Sequence, residues 1–86
     1  MNWHWLSFID PDKPAGQRFL GAVIVQGIHF LDAVGRSHVL GLNPGGECQG
    51  EEIPEHLVPE PKWREVLLDR PKAEAVAKEM DKRAAN

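Results

Sequence analysis

The sequence predicts an α+β domain: a β-β-α-β core, with a three-stranded antiparallel sheet packed on one helix, followed by two short C-terminal helices. Three observations lead there. Two runs rich in aromatic and β-branched residues, 3–9 and 19–25, flank a loop that no strand can cross. The hydrophobic period changes from strand-like to helix-like after Gly27. A short polar run with strand length then follows Asn43-Pro44-Gly45-Gly46.

The first strand spans residues 3–9 and ends at Asp10-Pro11-Asp12-Lys13-Pro14-Ala15-Gly16, whose prolines and aspartates break a ladder. The second spans 19–25. Simple alternation puts Phe19, Val23 and Val25 on one face and Leu20, Ala22 and Ile24 on the other, so this strand needs cover on both sides. Residues 28–40 read as a helix whose inward stripe is Phe30, Ala33, Val34, Ser37 and Leu40. Asp32 suits its first turn, and Gly41 suits the left-handed position past its end. Pro44 followed by Gly45 is the signature of a type II turn, with Gly45 at positive φ. The third strand, about 47–53, is an edge strand by its glutamates and Gly50. Pro54 ends it.

Residues 1–54 thus form the core, 55–60 a proline-punctuated linker, and 61–86 a C-terminal helical arm, all within one domain. Pro61 starts a helix over about 61–67 that shares Trp63, Val66 and Leu67 on one face. Asp69 caps the next helix, with Pro71 in its first turn. Its stripe is Ala73, Val76, Ala77 and Met80, and Glu74–Lys78 and Glu79–Arg83 are favourable i, i+4 pairs.

Composition narrows the function classes. The 86 residues are 42% hydrophobic and 27% charged, which suits one globular domain rather than a disordered chain. The net charge of −3 gives neither the basic excess of a nucleic-acid binder nor attraction to an anionic membrane surface. The charge is uneven. Residues 1–58 carry three basic and seven acidic side chains, and residues 59–86 seven basic and six acidic. One cysteine, Cys48, cannot form an internal disulfide, so a reducing compartment is expected. Residues 1–5 lack the basic start of a secretion signal, and the longest apolar run is too short to span a bilayer. A cytoplasmic location is the expectation.

One group of motifs stands out: Phe30-x-x-Ala33, then Leu40-Gly41-Leu42-Asn43-Pro44-Gly45-Gly46-Glu47, Gly50 and Ile53-Pro54, together with Phe8-Ile9-Asp10-Pro11-Asp12-Lys13-Pro14 and Phe19-Leu20-Gly21. Over roughly residues 3–54 the chain resembles small uncharacterised proteins of bacteriophage and prophage genomes. The resemblance implies a bacterial or phage-infected cytoplasm and an accessory role. It carries no assigned activity and no catalytic residue.

The residues themselves give no catalytic or cofactor site. His29, His38, Cys48 and His56 lack compact zinc spacing, and in one helix His29 and His38 would point to opposite sides. The Asn43–Gly46 glycines follow a helix instead of leading into one, contrary to a phosphate loop. Asp10/Asp12 and Glu47/Glu51/Glu52 lack the alternating ligands of a calcium loop. Cys48 has no neighbouring base in sequence. No catalytic residue, cofactor or metal is expected. The tryptophans Trp3, Trp5 and Trp63 form the candidate interaction surface, read against the simpler role of core residues. The expected function is a non-enzymatic protein-interaction module with a protein partner, or a second copy of itself. The alternatives are a nucleic-acid-associated protein using the basic residues of the arm, and a small enzyme whose site the sequence does not reveal.

Overall fold

The computed structural model describes residues 1–85. Strands β1 (Asn2–Ile9), β2 (Phe19–Gly27) and β3 (Glu47–Glu52) form one antiparallel sheet in the order β2-β1-β3. Helix α1 (Phe30–Val39) lies between β2 and β3 in sequence, and α2 (Arg70–Ala84) closes the chain. The α+β class and the three-stranded antiparallel sheet agree with expectation. Helix α1 covers one face of the sheet, as expected, and α2, from the C-terminal arm, covers the other.

Alternation along the central strand β1 explains this. His4, Leu6 and Phe8 are buried on the α1 side, among Val23, Val25 and Ala33. Trp3 and Trp5 face the other way, onto a second cluster of Ala22, Ile24, Ile53, Leu68, Ala73 and Val76. The C-terminal segment therefore supplies half the core. Simple alternation fails at the start of β2: Phe19 joins the second cluster and Leu20 the first, the reverse of the expected faces. The cause is a register shift, with Phe8 opposite Gly21 but Ile9 opposite Phe19. An extra residue in one strand inverts every side chain beyond it.

Helix α1 is shorter than 28–40 because His29 is its N-cap, not its first turn. The His29 Nδ1 accepts from Asp32 N at 3.2 Å, while Asp32 Oδ2 accepts from Ile28 N at 2.8 Å. Two otherwise orphan donors are thus satisfied reciprocally. His29→Ala should cost about 1 kcal/mol and His29→Asn, which keeps an acceptor, much less; urea midpoints decide, and a wild-type midpoint for the alanine variant would show the cap to be idle. At the other end Gly41, with φ +72°, donates to His38 O at 3.0 Å, and Leu42 donates to Ser37 O at 2.9 Å. This is the paired stop that a left-handed glycine permits. Ala33 and Ser37 are buried as expected, but Leu40 lies at the surface. The opposite side of α1 carries Leu31 and Val39, 72% and 86% exposed, with Gly35 between them.

In the Asn43–Gly46 segment Gly45 takes the expected positive φ, +88°, but among the described residues no backbone hydrogen bond closes a turn between Asn43 and Gly46. Asn43 Oδ1 holds the segment by accepting from Gly45 N at 2.8 Å, and Asn43 Nδ2 donates to Ser37 Oγ at 3.1 Å.

The expected helix over 61–67 is not formed. Pro61–Trp63 makes a single 3-10 turn, as does Glu55–Leu57 before it. The chain then turns at Glu65, a non-glycine residue at φ 56°, and runs alongside β2. Ala22 and Leu68 exchange backbone hydrogen bonds of 3.0 and 2.7 Å, and Glu65 N donates to Ile24 O at 2.9 Å. The outer edge of β2 is thereby paired. With Trp63 in the 3-10 turn and Val66 and Leu67 beyond the bend at Glu65, the three share no helical face; Leu68 enters the core and Val66 and Leu67 remain partly exposed. Asp69 caps α2 as predicted, accepting from Lys72 N at 3.1 Å. Arg83 does not pair with Glu79; its guanidinium reaches Val58 O at 3.2 Å and ties α2 to the preceding turn.

Candidate functional site

The structure brings Trp3, Trp5 and Trp63 to one side of the sheet, each half-buried against the same apolar cluster. The first two arrive there by alternation along β1, and Trp63 by the 3-10 turn that precedes the extended segment. Cations sit on their faces. The Arg64 guanidinium lies 5.1 Å from the Trp3 ring centre, held by Arg64 Nε donating to Pro59 O at 2.8 Å. Lys62 Nζ lies 5.1 Å from the Trp63 ring centre. Nearby, Arg70 stands 5.6 Å from the Phe19 ring centre and donates to Gly16 O at 3.4 Å. Such contacts contribute about 0.5–1 kcal/mol each at exposed sites, and they fix where the positive charge stands.

Helix α2 crosses the β2 side of this face and leaves depressions along the tryptophan row. Trp5 walls two of them. One is an apolar groove of about 220 Å³ between the sheet and α2, formed by Trp5, Phe19, Arg70, Ala73, Glu74 and Ala77. The other lies towards β3 and is formed by Trp5, Ser7, Gln49, Gly50 and Glu51. Trp5 stands directly opposite Glu51 in the β1–β3 register. A larger, polar cleft of about 610 Å³ lies at the far end of β1, where Trp3 and Arg64 meet Glu52 and Glu55. The face therefore offers apolar space at Trp5, bordered by Arg70, Glu74 and Glu51.

The sequence-based candidates for other chemistry are scattered. His29 caps α1, and His38 Nε2 is 3.2 Å from Asn43 Nδ2. Cys48 is half-buried beneath α1, and His56 lies on the 3-10 turn after β3. Among the described residues no three His, Cys, Asp or Glu side chains are placed to hold a metal ion. Burial pushes the Cys48 thiol up, the opposite of what activates a nucleophile. Asp10 Oδ1 accepts from Asp12 N at 3.0 Å, closing its own turn. On α2 basic and acidic residues alternate, and Arg70 and Arg83 are engaged with backbone carbonyls.

Phe19, Arg64, Arg70, Ala73 and Ala77 complete the tryptophan face, and none of them is apparent as a site residue in sequence. Phe19 changes face at the bulge, and the arginines come from a segment read as a helix. No family model matches the chain, and no curated protein or solved structure matches it. Among the described residues no helix is long and apolar enough to cross a membrane.

Proposed function

We propose that the protein is a protein-interaction module, not an enzyme, and that it receives an apolar side chain of a partner protein in the groove beside Trp5. One observation carries this reading. Trp5, at the middle of the central strand, stays half-buried as the shared wall of two adjoining depressions, one of them lined by Phe19, Ala73 and Ala77. Tryptophan flanked by arginine is the residue chemistry that dominates protein contacts. The groove is too small for a drug-sized or cofactor-sized ligand but has room for a leucine- or methionine-sized anchor. The partner's cationic groups would meet Glu51 and Glu74. An accessory role on a host or phage protein in the bacterial cytoplasm is part of this proposal and rests on the resemblance of residues 3–54 to phage and prophage proteins.

Ala77→Glu tests this reading. The substitution adds a charged side chain to the groove from a helix position where alanine makes little of the core. Lysates of uninfected and phage-infected bacteria are passed over the wild-type protein, Ala77→Glu and the control Lys82→Glu. A protein retained by wild type and control but lost with Ala77→Glu supports the groove. Identical retention by all three, with unchanged melting of Ala77→Glu, overturns it.

A further inference from the structure

We infer that the protein forms a two-fold dimer through the outer face of α1, a surface separate from the tryptophan face. Leu31, Gly35 and Val39 follow one another at i, i+4 and i+8, so they form one stripe along the helix. That stripe points directly away from the buried Ala33 and Ser37. Met1, 71% exposed, lies beside it. Met1, Leu31, Gly35, Val39 and Leu40, with Asp32 and Arg36, enclose a groove of about 480 Å³. Large aliphatics this exposed make a contiguous patch of roughly 300–600 Å², the largest that a monomer of ordinary surface leaves to water. Elsewhere large aliphatics are better covered: both sheet faces are packed, the β2 edge is paired, and Val66 and Leu67 are 40% and 42% exposed against 72% and 86% for Leu31 and Val39.

A second copy fits this face by charge as well as by shape. Gly35 has open space where a side chain would stand, so it lets another helix approach closely. With the two α1 helices antiparallel and crossing at Gly35, Leu31 of one copy lies opposite Val39 of the other. Asp32 and Arg36 fall on the same flank of the stripe, three and one residues from the crossing on opposite sides of it. The two-fold therefore brings each Asp32 beside the partner copy's Arg36, twice. Both groups have capacity to spare. Asp32 uses Oδ2 for the Ile28 amide, which leaves Oδ1. Among the described residues Arg36 makes no salt bridge, so its guanidinium charge is uncompensated within the single chain. An isologous contact of this kind closes on itself and stops at two copies. The patch is smaller than the roughly 800 Å² per partner of a standard stable interface, so the dimer belongs to the weak class and assembles with rising concentration.

Sedimentation velocity across micromolar to millimolar concentrations tests the inference on the full chain. Wild type should pass from monomer to dimer. Gly35→Glu should stay monomeric while keeping its melting temperature, because nothing in the folded chain stands where that side chain goes. Asp32→Arg and Arg36→Glu should each weaken association by roughly tenfold or more, since each places like charges across the two-fold. A mixture of the two variants should form a heterodimer. In it the arginine introduced in one copy faces the glutamate introduced in the other, and the native Arg36 of the first copy faces the native Asp32 of the second. A wild-type monomer throughout overturns the proposal. So does a dimer that survives Gly35→Glu, which would lie on another face. A mixture that fails to associate overturns the antiparallel register. Ala77→Glu should dimerise as wild type does, so loss of the groove reading leaves this one standing, and the reverse.

Discussion

A chain ending after Pro59 is expected to lose its cooperative unfolding transition. The truncation removes Leu68, Ala73 and Val76, all buried, with Trp63 and Met80 packed around them. It also strips the edge pairing from Ala22 and Ile24. Burying a side chain of the size of Leu68 or Val76 contributes about 1.5–3 kcal/mol each, so the segment accounts for a large share of the roughly 5–15 kcal/mol a small domain has in total. The loss leaves Trp3, Trp5 and Ile24 facing water, and the truncated protein should aggregate on light scattering. Leu68→Ala is the single-residue counterpart and should cost about 2–5 kcal/mol. A truncated chain that remains monomeric and melts at the wild-type temperature would show that the C-terminal segment does not hold the second face of the sheet.

Gly46→Val should be the most damaging substitution in the turn before β3. Gly46 sits at φ +75°, and a Cβ built there collides with Ile9 O and stands 2.8 Å from Leu20 Cδ1. The left-handed backbone alone costs a branched residue about 1–2 kcal/mol, and pushing back the end of β1 adds about 1–3 kcal/mol more. Together these should lower the melting temperature by more than about 10 °C. The neighbouring Gly45 also has positive φ but open space around it, so Gly45→Val should cost only the backbone contribution of about 1–2 kcal/mol. Denaturant midpoints of the two variants decide; equal values would mean that the Ile9 carbonyl yields freely.

The local parts of this fold are legible in the sequence because local chemistry determines them. Ala33 and Ser37 mark the buried stripe of α1, Gly41 its stop, and Asp69 the start of α2. Trp3 and Trp5 share a face because strand alternation leaves no choice. What failed was set by contacts distant in sequence. Trp63, Val66 and Leu67 have helical spacing, yet seven residues cannot show whether pairing with β2 will pull the chain straight, and Ala22 does so through Leu68. The bulge beside Gly21 is equally silent in sequence, and it exchanges Phe19 and Leu20 between the two clusters. The candidate surface was legible as three tryptophans, not as a groove, because Arg70 and Ala77 reach Trp5 only through the docking of α2. The second stripe of α1 is visible in the spacing of Leu31, Gly35 and Val39, but the inward stripe of the same helix dominates the reading.

The order β2-β1-β3 places the earliest-made of these three strands in the middle of the sheet. Its hairpin with β2 forms from neighbouring sequence, but its other side waits for residues 47–52. Such distant pairing is slow relative to local structure. While the chain is being made, the free backbone of β1 opposite β2 is thus an open template, flanked by the unprotected rings of Trp3 and Trp5. Strand edges of this kind are where nascent chains misassociate. The glutamates of β3 guard the edge of the finished molecule; until β3 arrives, β1 has no such guard, and this interval is when a bound chaperone or a fast-closing turn at Gly46 matters most.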